Sequence, residues 1–147
     1  MAKITETEWI WRDGEFVRWA DATVHVLAHS LQFGSSAFEG IRCYDTPQGP
    51  AVFRLRDHID RMVTSAALLY MQLPYSVEEL RAATMDVICA NGLPSCYVRP
   101  LAFYGYGQLG VAARDNPVDV VVMSWPWGTY LGEDGLRNGI RAKVSSW

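Results

Sequence analysis

The sequence predicts an α+β fold, in which a mostly antiparallel sheet carries two helices on one side. Three observations support this prediction: strands joined by short turns early in the chain, two consecutive helices in the middle, and two further strands after them. Short turns favour antiparallel neighbours, because parallel strands need a long crossover connection. The 147 residues are half apolar, which is enough to bury a core in one compact domain.

The chain begins with a predicted hairpin. Asp13-Gly14 lies between two stretches of β-forming residues, 9–11 and 16–18, and this pair is typical of a tight turn. Residues 23–27 are expected to be extended.

A second pair of strands is predicted at 37–44 and 51–55, around the turn Thr46-Pro47-Gln48-Gly49. The stretch 31–40 is rich in glycine, serine and aromatic residues, and its pattern gives no assignment of its own.

Two helices follow these strands. Residues 57–71 have apolar side chains at helical spacing, which predicts a helix with one buried face, and Arg61 lies off that face. The apolar positions are Ile59, Met62, Val63, Ala66, Leu69 and Tyr70. Ser76 followed by Glu79 is a capping-box signature for the second helix, which Asn91-Gly92 is expected to end.

Three extended segments complete the predicted elements. Residues 95–106 form a long strand, and the valine-rich stretch 118–124 forms a buried one. Residues 138–145 are expected to begin another extended segment.

Composition excludes several classes of function. The net charge is −3 and no block of Lys or Arg occurs, so no binding to nucleic acid or to an anionic membrane is expected. No apolar run is long enough to span a membrane, and residues 1–11 lack the apolar core of a secretory signal. Cys43, Cys89 and Cys96 have no CxxC spacing, which favours free thiols and a cytoplasmic location.

Three motifs of catalytic interest find little support around them. Gly105-Tyr106-Gly107-Gln108-Leu109-Gly110 matches G-x-G-x-x-G, but Asn116-Pro117 follows where a dinucleotide site needs a helix, so a loop between strands is predicted. His25 and His29 have no nearby acid or cysteine cluster, so no metal site is expected. Ser35 and Ser36 lack the G-x-S-x-G pattern of a nucleophile elbow.

Arg99 is the most informative single residue. It lies within an apolar strand, where a guanidinium is costly to bury unless it is paired, and no acid alternates with it locally. Arg99 therefore either meets a distant carboxylate in the fold or binds a carboxylate ligand, and the local pattern leaves both alternatives open.

Several segments together resemble one enzyme family. They begin with His25, continue through Ser30-Leu31-Gln32-Phe33-Gly34-Ser35-Ser36 and Phe38-Glu39-Gly40-Ile41-Arg42-Cys43-Tyr44, and then comprise Val52-Phe53-Arg54-Leu55-Arg56-Asp57-His58 with Arg61, Tyr97-Val98-Arg99-Pro100, Pro126-Trp127-Gly128-Thr129-Tyr130-Leu131-Gly132 and Val144-Ser145-Ser146-Trp147. This series is similar to branched-chain amino acid aminotransferases of class IV, which depend on pyridoxal 5'-phosphate (PLP). The resemblance covers nearly the whole chain, and it implies the small α+β domain of these enzymes for residues 1–130. Residues 131–147 would be the connection to, and the start of, a second domain.

The resemblance also implies roles for individual residues. Arg61 would bind the phosphate of PLP, a sound partner for a guanidinium. The substrate pocket would be lined by Phe38, Gly40, Tyr97, Arg99, Trp127 and Tyr130, with Tyr97 and Arg99 contacting substrate carboxylates. Phe33 and Val111 would reach the pocket of a neighbouring subunit in a homodimer or higher homo-oligomer, although Phe33 lacks the hydroxyl of the tyrosine that many relatives have. The simpler alternatives are core packing for the aromatic residues, and a solvated pair with Asp57 for Arg61.

The implied reaction moves the amino group of leucine, isoleucine or valine to 2-oxoglutarate. Its Schiff-base lysine would follow the Ser145-Ser146-Trp147 segment, and neither Lys3 nor Lys143 matches it. The 147 residues alone are therefore expected to be inactive with leucine and 2-oxoglutarate. Two alternatives stay open: a D-amino acid aminotransferase or aminodeoxychorismate lyase of the same fold, and a non-catalytic domain that only self-associates.

Overall fold

The computed structural model describes residues 4–112, 114–128 and 132–145. Its centre is a seven-stranded sheet in the order β2-β1-β7-β6-β4-β5, and β3 also pairs with β6. The strands are β1 (Trp9–Arg12), β2 (Glu15–Arg18), β3 (Ser36–Phe38), β4 (Ile41–Tyr44), β5 (Ala51–Val52), β6 (Cys96–Tyr104) and β7 (Val118–Trp125). All the pairings between them are antiparallel, as the sequence predicts.

The two principal helices pack on one face of this sheet. They are α2 (Leu55–Leu68) and α3 (Val77–Ala90), and a shorter helix, α1 (His29–Phe33), precedes β3. The core contains Ile59 and Met62 of α2, Leu80 and Val87 of α3, and the inward residues of the central strands, such as Val98. The predicted α+β fold, with its helices on one side, is confirmed.

Local signals account for the ends of several elements. Residues 12–15 form the predicted hairpin turn, and β1 pairs with β2 from Trp9 opposite Arg18 to Arg12 opposite Glu15. At the start of α3 the Ser76 side chain accepts a hydrogen bond from the Glu79 N–H, while the Glu79 carboxylate accepts one from the Ser76 N–H. The predicted hairpin and capping box are both confirmed.

The strand predicted at 37–44 is divided into β3 and β4. Both pair with β6 in one continuous register, so Glu39 lies opposite Pro100. The Glu39 N–H donates to the Pro100 carbonyl at 3.0 Å, but proline has no N–H to return a bond. The missing donor interrupts the strand at Glu39 and Gly40, and this interruption lies in the middle of the candidate site.

Other predicted boundaries are wrong around α2. The strand predicted at 51–55 ends at Val52, because Arg54 has a left-handed backbone (φ 49°) just before the helix begins at Leu55. The helix ends at Leu68 rather than at residue 71. The chain turns at Tyr70 (φ 59°), which brings Met71 into the core and leaves Leu69 and Tyr70 exposed.

Two predicted extended segments are also wrong. Residues 23–27 form no strand, and a helix, α4 (Gly132–Asn138), is followed by residues 139–145 without regular structure. Within the described ranges the sheet offers residues 138–145 no neighbouring strand to pair with. None of the helices in those ranges is long and apolar enough to cross a membrane.

Candidate active site

The sheet face opposite the helices carries most of the predicted site. Successive side chains of a strand point to opposite faces, and in β6 the buried residues Cys96 and Val98 alternate with the half-buried Tyr97 and Arg99. Tyr97 lies opposite Trp125 of β7. The helix-facing residues build the core, so Tyr97 and Arg99 project from the other face.

An aromatic cluster surrounds Tyr97. Its ring centroid is 5.0 Å from that of Trp125 and 5.0 Å from that of Trp127, and the two indole rings are 5.6 Å apart. Phe38 contributes a further ring and is 55% exposed, so its role is not core packing. We refer to Phe38, Gly40, Tyr97, Arg99 and Trp127 as the aromatic–arginine site.

Arg99 lies between two of these rings. Its Cζ is 4.6 Å from the Phe38 ring centroid and 5.3 Å from that of Tyr97, and its Nη2 donates to the Tyr97 hydroxyl at 2.9 Å. Its Nε is buried without a hydrogen-bond partner. In the described part of the chain, no carboxylate forms an ion pair with Arg99. Since an unpartnered buried donor is costly, this guanidinium has spare capacity for an anionic ligand.

Gly40 allows the phenol of Tyr97 to come close. A Cβ at position 40 would lie 2.4 Å from the Tyr97 hydroxyl oxygen, far inside van der Waals contact. The absence of a side chain at Gly40 therefore sets the position of the Tyr97 hydroxyl, to which Arg99 donates.

Arg61 lies on the helix side, joined to the same segment of chain. Its Nε and Nη2 donate to the two carboxylate oxygens of Glu39 at 2.5 and 2.6 Å, and His58 Nδ1 is 2.9 Å from one of them. The alternative pairing with Asp57 is wrong, because Asp57 accepts from Arg54 instead. Burial by itself would raise the pKa of Glu39, but the hydrogen bonds and positive charges of Arg61 and His58 outweigh it and hold that pKa below its usual value.

Phe33 and Val111 both have exposed side chains, on segments that His29 connects. Phe33 of α1 stacks on His29 with ring centroids 4.4 Å apart, and His29 Nε2 is 2.8 Å from the carbonyl oxygen of Gly110, the neighbour of Val111. Phe33 is 51% and Val111 91% exposed, so neither side chain is used in this domain's core.

Tyr130, the remaining predicted site residue, lies outside the described residues. Glu39, His58 and Trp125 belong to the surroundings of the site but were not predicted. The sequence signal for Glu39 was an acid in the middle of an apolar strand, where a carboxylate needs a partner. The structure supplies His58 and Arg61 as its partners.

The other motifs have structural roles. The Gly-rich stretch 105–110 belongs to the loop between β6 and β7, as predicted. Among the residues described, this loop contains no helix. His29 bonds the Ser35 hydroxyl as well as the Gly110 carbonyl. No group of three or more His, Cys, Asp or Glu residues that could hold a metal occurs in the ranges the structure covers.

Comparisons of the sequence with known proteins give a family. The amino-transferase class IV family matches residues 36–147. The chain is 49% identical to the branched-chain-amino-acid aminotransferase of Pseudomonas aeruginosa over 94% of its length, and 48% identical to that of Escherichia coli over 97%.

Solved structures give the same result. A crystal structure of the Escherichia coli branched-chain amino acid aminotransferase superposes with a TM-score of 0.91 at 48% identity, covering 97% of this chain and 47% of that one. The T.th. branched-chain amino acid aminotransferase complexed with N-(5'-phosphopyridoxyl)-L-glutamate has a TM-score of 0.81 at 47% identity, covering 85% of this chain and 42% of that one. The chain spans slightly less than half the length of the two curated relatives, 45% and 46%. On the sequence match and the fold together, the chain belongs to the class IV aminotransferase family.

Proposed function

We propose that the complete protein is a PLP-dependent aminotransferase that moves the amino group of leucine, isoleucine or valine to 2-oxoglutarate. The observation that carries this proposal is Arg99, whose buried Nε has no partner and whose guanidinium lies against Phe38 in an open aromatic wall. The relatives named branched-chain aminotransferases support the choice of reaction.

The aromatic–arginine site suits both kinds of substrate. The rings of Phe38 and Trp127 offer apolar surface for a branched side chain, while Arg99 offers a guanidinium for a carboxylate. An enzyme that exchanges amino groups between leucine and glutamate has to accept an apolar side chain and an anionic one in turn. The Tyr97 hydroxyl accepts a hydrogen bond from Arg99 Nη2, and this bond fixes the guanidinium in place for a substrate carboxylate.

The cofactor proposal rests on Arg61. Two of its nitrogens bind Glu39, Nη1 has no hydrogen-bond partner among the described residues, and the side chain is 66% exposed, so the group fits a phosphate. When bound, PLP supplies the electron sink that transamination needs. Phosphopyridoxyl and pyridoxamine phosphate ligands in structures of the T.th. relative support the same cofactor.

We further propose a homodimer or larger homo-oligomer. Phe33 and Val111 are exposed on adjoining segments linked by His29, and Val26, Leu31 and Leu109 are exposed beside them. An apolar patch of this kind favours association. In this proposal Phe33 and Val111 approach the site of the neighbouring subunit.

The remaining proposals concern the context of the domain. In this proposal residues 1–130 are the small domain, and residues 131–147 are the connection to, and the start of, a second one. The division is supported because no strand follows Trp125 in the described ranges. A cytoplasmic location is proposed because Cys43, Cys89 and Cys96 are free thiols.

The test uses the complete protein with PLP and six substrates. L-leucine, L-isoleucine, L-valine and D-alanine are offered as amino donors with 2-oxoglutarate as the acceptor, and L-glutamate is offered with the oxo acid of leucine as the acceptor. Aminodeoxychorismate, the sixth, is offered as a lyase substrate. We expect turnover with the four L-amino acids only. Arg99→Met should raise KM for 2-oxoglutarate by about tenfold or more relative to that for the oxo acid of leucine, since a bond to a charged group is worth roughly 1.5–3 kcal/mol. Arg56→Met, which removes an exposed arginine of α2, is the control and should change neither KM value.

Exclusive use of D-alanine would identify a D-specific enzyme instead, and release of pyruvate from aminodeoxychorismate would identify a lyase. If the protein associates in a concentration-dependent way but does not bind PLP, the remaining alternative is a non-catalytic domain that only self-associates.

A further inference from the structure

The carboxylate of Glu39 is buried between two basic side chains of α2. Its side chain is 4% exposed, and both of its oxygens are used: Arg61 Nε donates to Oε1, Arg61 Nη2 donates to Oε2, and His58 Nδ1 also lies within hydrogen-bond distance of Oε2. The Glu39 backbone is fixed as well, because its N–H donates to the Pro100 carbonyl. Glu39 is therefore held by both its backbone and its side chain.

This pairing differs from the other ion pairs of the same helix. Arg54 pairs with Asp57 and Arg56 pairs with Asp60, and all four of these side chains are more than half exposed. Exposed pairs contribute little and leave their side chains free to move. Arg61 instead meets a buried, immobile carboxylate at two points.

Two hydrogen bonds to one carboxylate fix the orientation of the Arg61 guanidinium. A free arginine side chain adopts many rotamers, and a planar guanidinium held by a carboxylate loses most of its freedom to rotate. With Nε and Nη2 directed at Glu39, the edge that carries Nη1 is turned away from Glu39, on a side chain that is 66% exposed. Arg61 is oriented before any anion arrives.

We propose that Glu39 is a positioning residue that presents the Arg61 guanidinium to the phosphate of the cofactor, with His58 as the second support of the Glu39 carboxylate. This inference rests on the proposed function, because it takes Arg61 as the phosphate-binding residue. The segment is well placed for the task, since Phe38, the residue before Glu39, faces Arg99 in the aromatic–arginine site. One short interruption between β3 and β4 thus supports both the phosphate arginine and the substrate wall.

The alternative is that Glu39 only anchors the strand interruption to α2. A purely structural anchor would affect the binding of every ligand of the site alike. A positioning residue would affect only ligands that carry the phosphate.

The experiment compares PLP with pyridoxal, which lacks the phosphate, as ligands of the complete apo-protein. Dissociation constants are measured by absorbance for the unchanged protein and for Glu39→Gln. Mutation of a residue that supports a metal ligand typically lowers metal affinity by about 10–100-fold. By analogy, we expect Glu39→Gln to raise the dissociation constant of PLP about tenfold and that of pyridoxal less than twofold. Asp57→Asn, which removes an exposed partner on the same helix, is the matched control and should change neither constant.

Two further variants complete the test. Arg61→Gln should lower the preference for PLP over pyridoxal by at least as much, and Glu39→Gln should then add nothing in the Arg61→Gln background. His58→Gln leaves the Arg61–Glu39 pair in place, so it should lower the preference by a smaller factor and provides the test if Glu39→Gln does not fold.

The outcomes separate the two proposals. Equal weakening of PLP and pyridoxal by Glu39→Gln, or an unchanged preference in both Glu39→Gln and His58→Gln, would overturn the positioning role while leaving the aminotransferase proposal intact. An unchanged preference in Arg61→Gln would instead show that Arg61 does not bind the phosphate and would overturn the assignment on which the inference rests.

Discussion

Replacing Gly40 with alanine should disrupt the aromatic–arginine site through a single contact. The new Cβ would lie 2.4 Å from the Tyr97 hydroxyl oxygen and 3.2 Å from Tyr97 Cζ. Ordinary contact begins at 3.4 Å, so the phenol has to move by about 1 Å. That movement strains the 2.9 Å bond from Arg99 to the Tyr97 hydroxyl and the ring contacts with Trp125 and Trp127.

The expected loss follows from these contacts. Overpacking costs about 1–3 kcal/mol, and a lost bond to a charged group roughly 1.5–3 kcal/mol. Tyr97 is only half-buried, so its ring can yield and water can replace part of the bond. We therefore expect Gly40→Ala to lower the free energy of unfolding by about 2 kcal/mol.

A double-mutant cycle tests the cause, with urea unfolding followed by tryptophan fluorescence. Tyr97→Phe removes the hydroxyl, so Cζ becomes the nearest atom and a shift of a few tenths of an ångström is sufficient. In that background Gly40→Ala should cost less than about 1 kcal/mol. Gly128→Ala is the control, because no atom lies within 4 Å of the added Cβ. An equal loss from Gly40→Ala in both backgrounds would refute the reasoning.

Two other predictions concern stability. The pKa of Glu39 is lowered in the folded state, so its contribution to folding stability is fully present above the ordinary value of 4.5 and is lost as pH falls from there through the folded pKa. In this window the thermal midpoint of Glu39→Gln should therefore drop less steeply with falling pH than that of the unchanged protein. An identical slope would contradict the shift. Asn91→Ala should cost about 1–3 kcal/mol in urea unfolding, because the Asn91 amide bonds both the N–H and the carbonyl of Trp9 at 2.9 Å. The control Asn138→Ala, at an exposed position in α4, should change stability by less than about 0.5 kcal/mol, and equal effects would contradict the role of Asn91.

The fold was predictable where local sequence determines local structure. The Asp13-Gly14 turn and the Ser76–Glu79 capping box need only residues within one turn of each other. The boundary errors arise from distant residues. The strand break at Glu39 depends on the proline opposite it in β6, and the early end of α2 depends on the burial of Met71.

The site was predictable to a similar extent. Arg99 is a candidate on the sequence alone because a charge in an apolar strand needs a partner, whereas Phe38, Gly40, Tyr97 and Trp127 were candidates only through the family resemblance. Glu39 was missed, because its partners His58 and Arg61 are 19 and 22 residues away and only the packing of α2 against β3 brings them together.

The most direct test of the proposed function is a half-reaction with the complete protein in its PLP form. L-leucine is added without an oxo acid, and the absorbance of the cofactor is followed. We expect L-leucine and L-glutamate each to convert the cofactor to pyridoxamine phosphate, and 2-oxoglutarate to reverse the change. A cofactor that responds to D-alanine but to neither L-amino acid would contradict the proposed function.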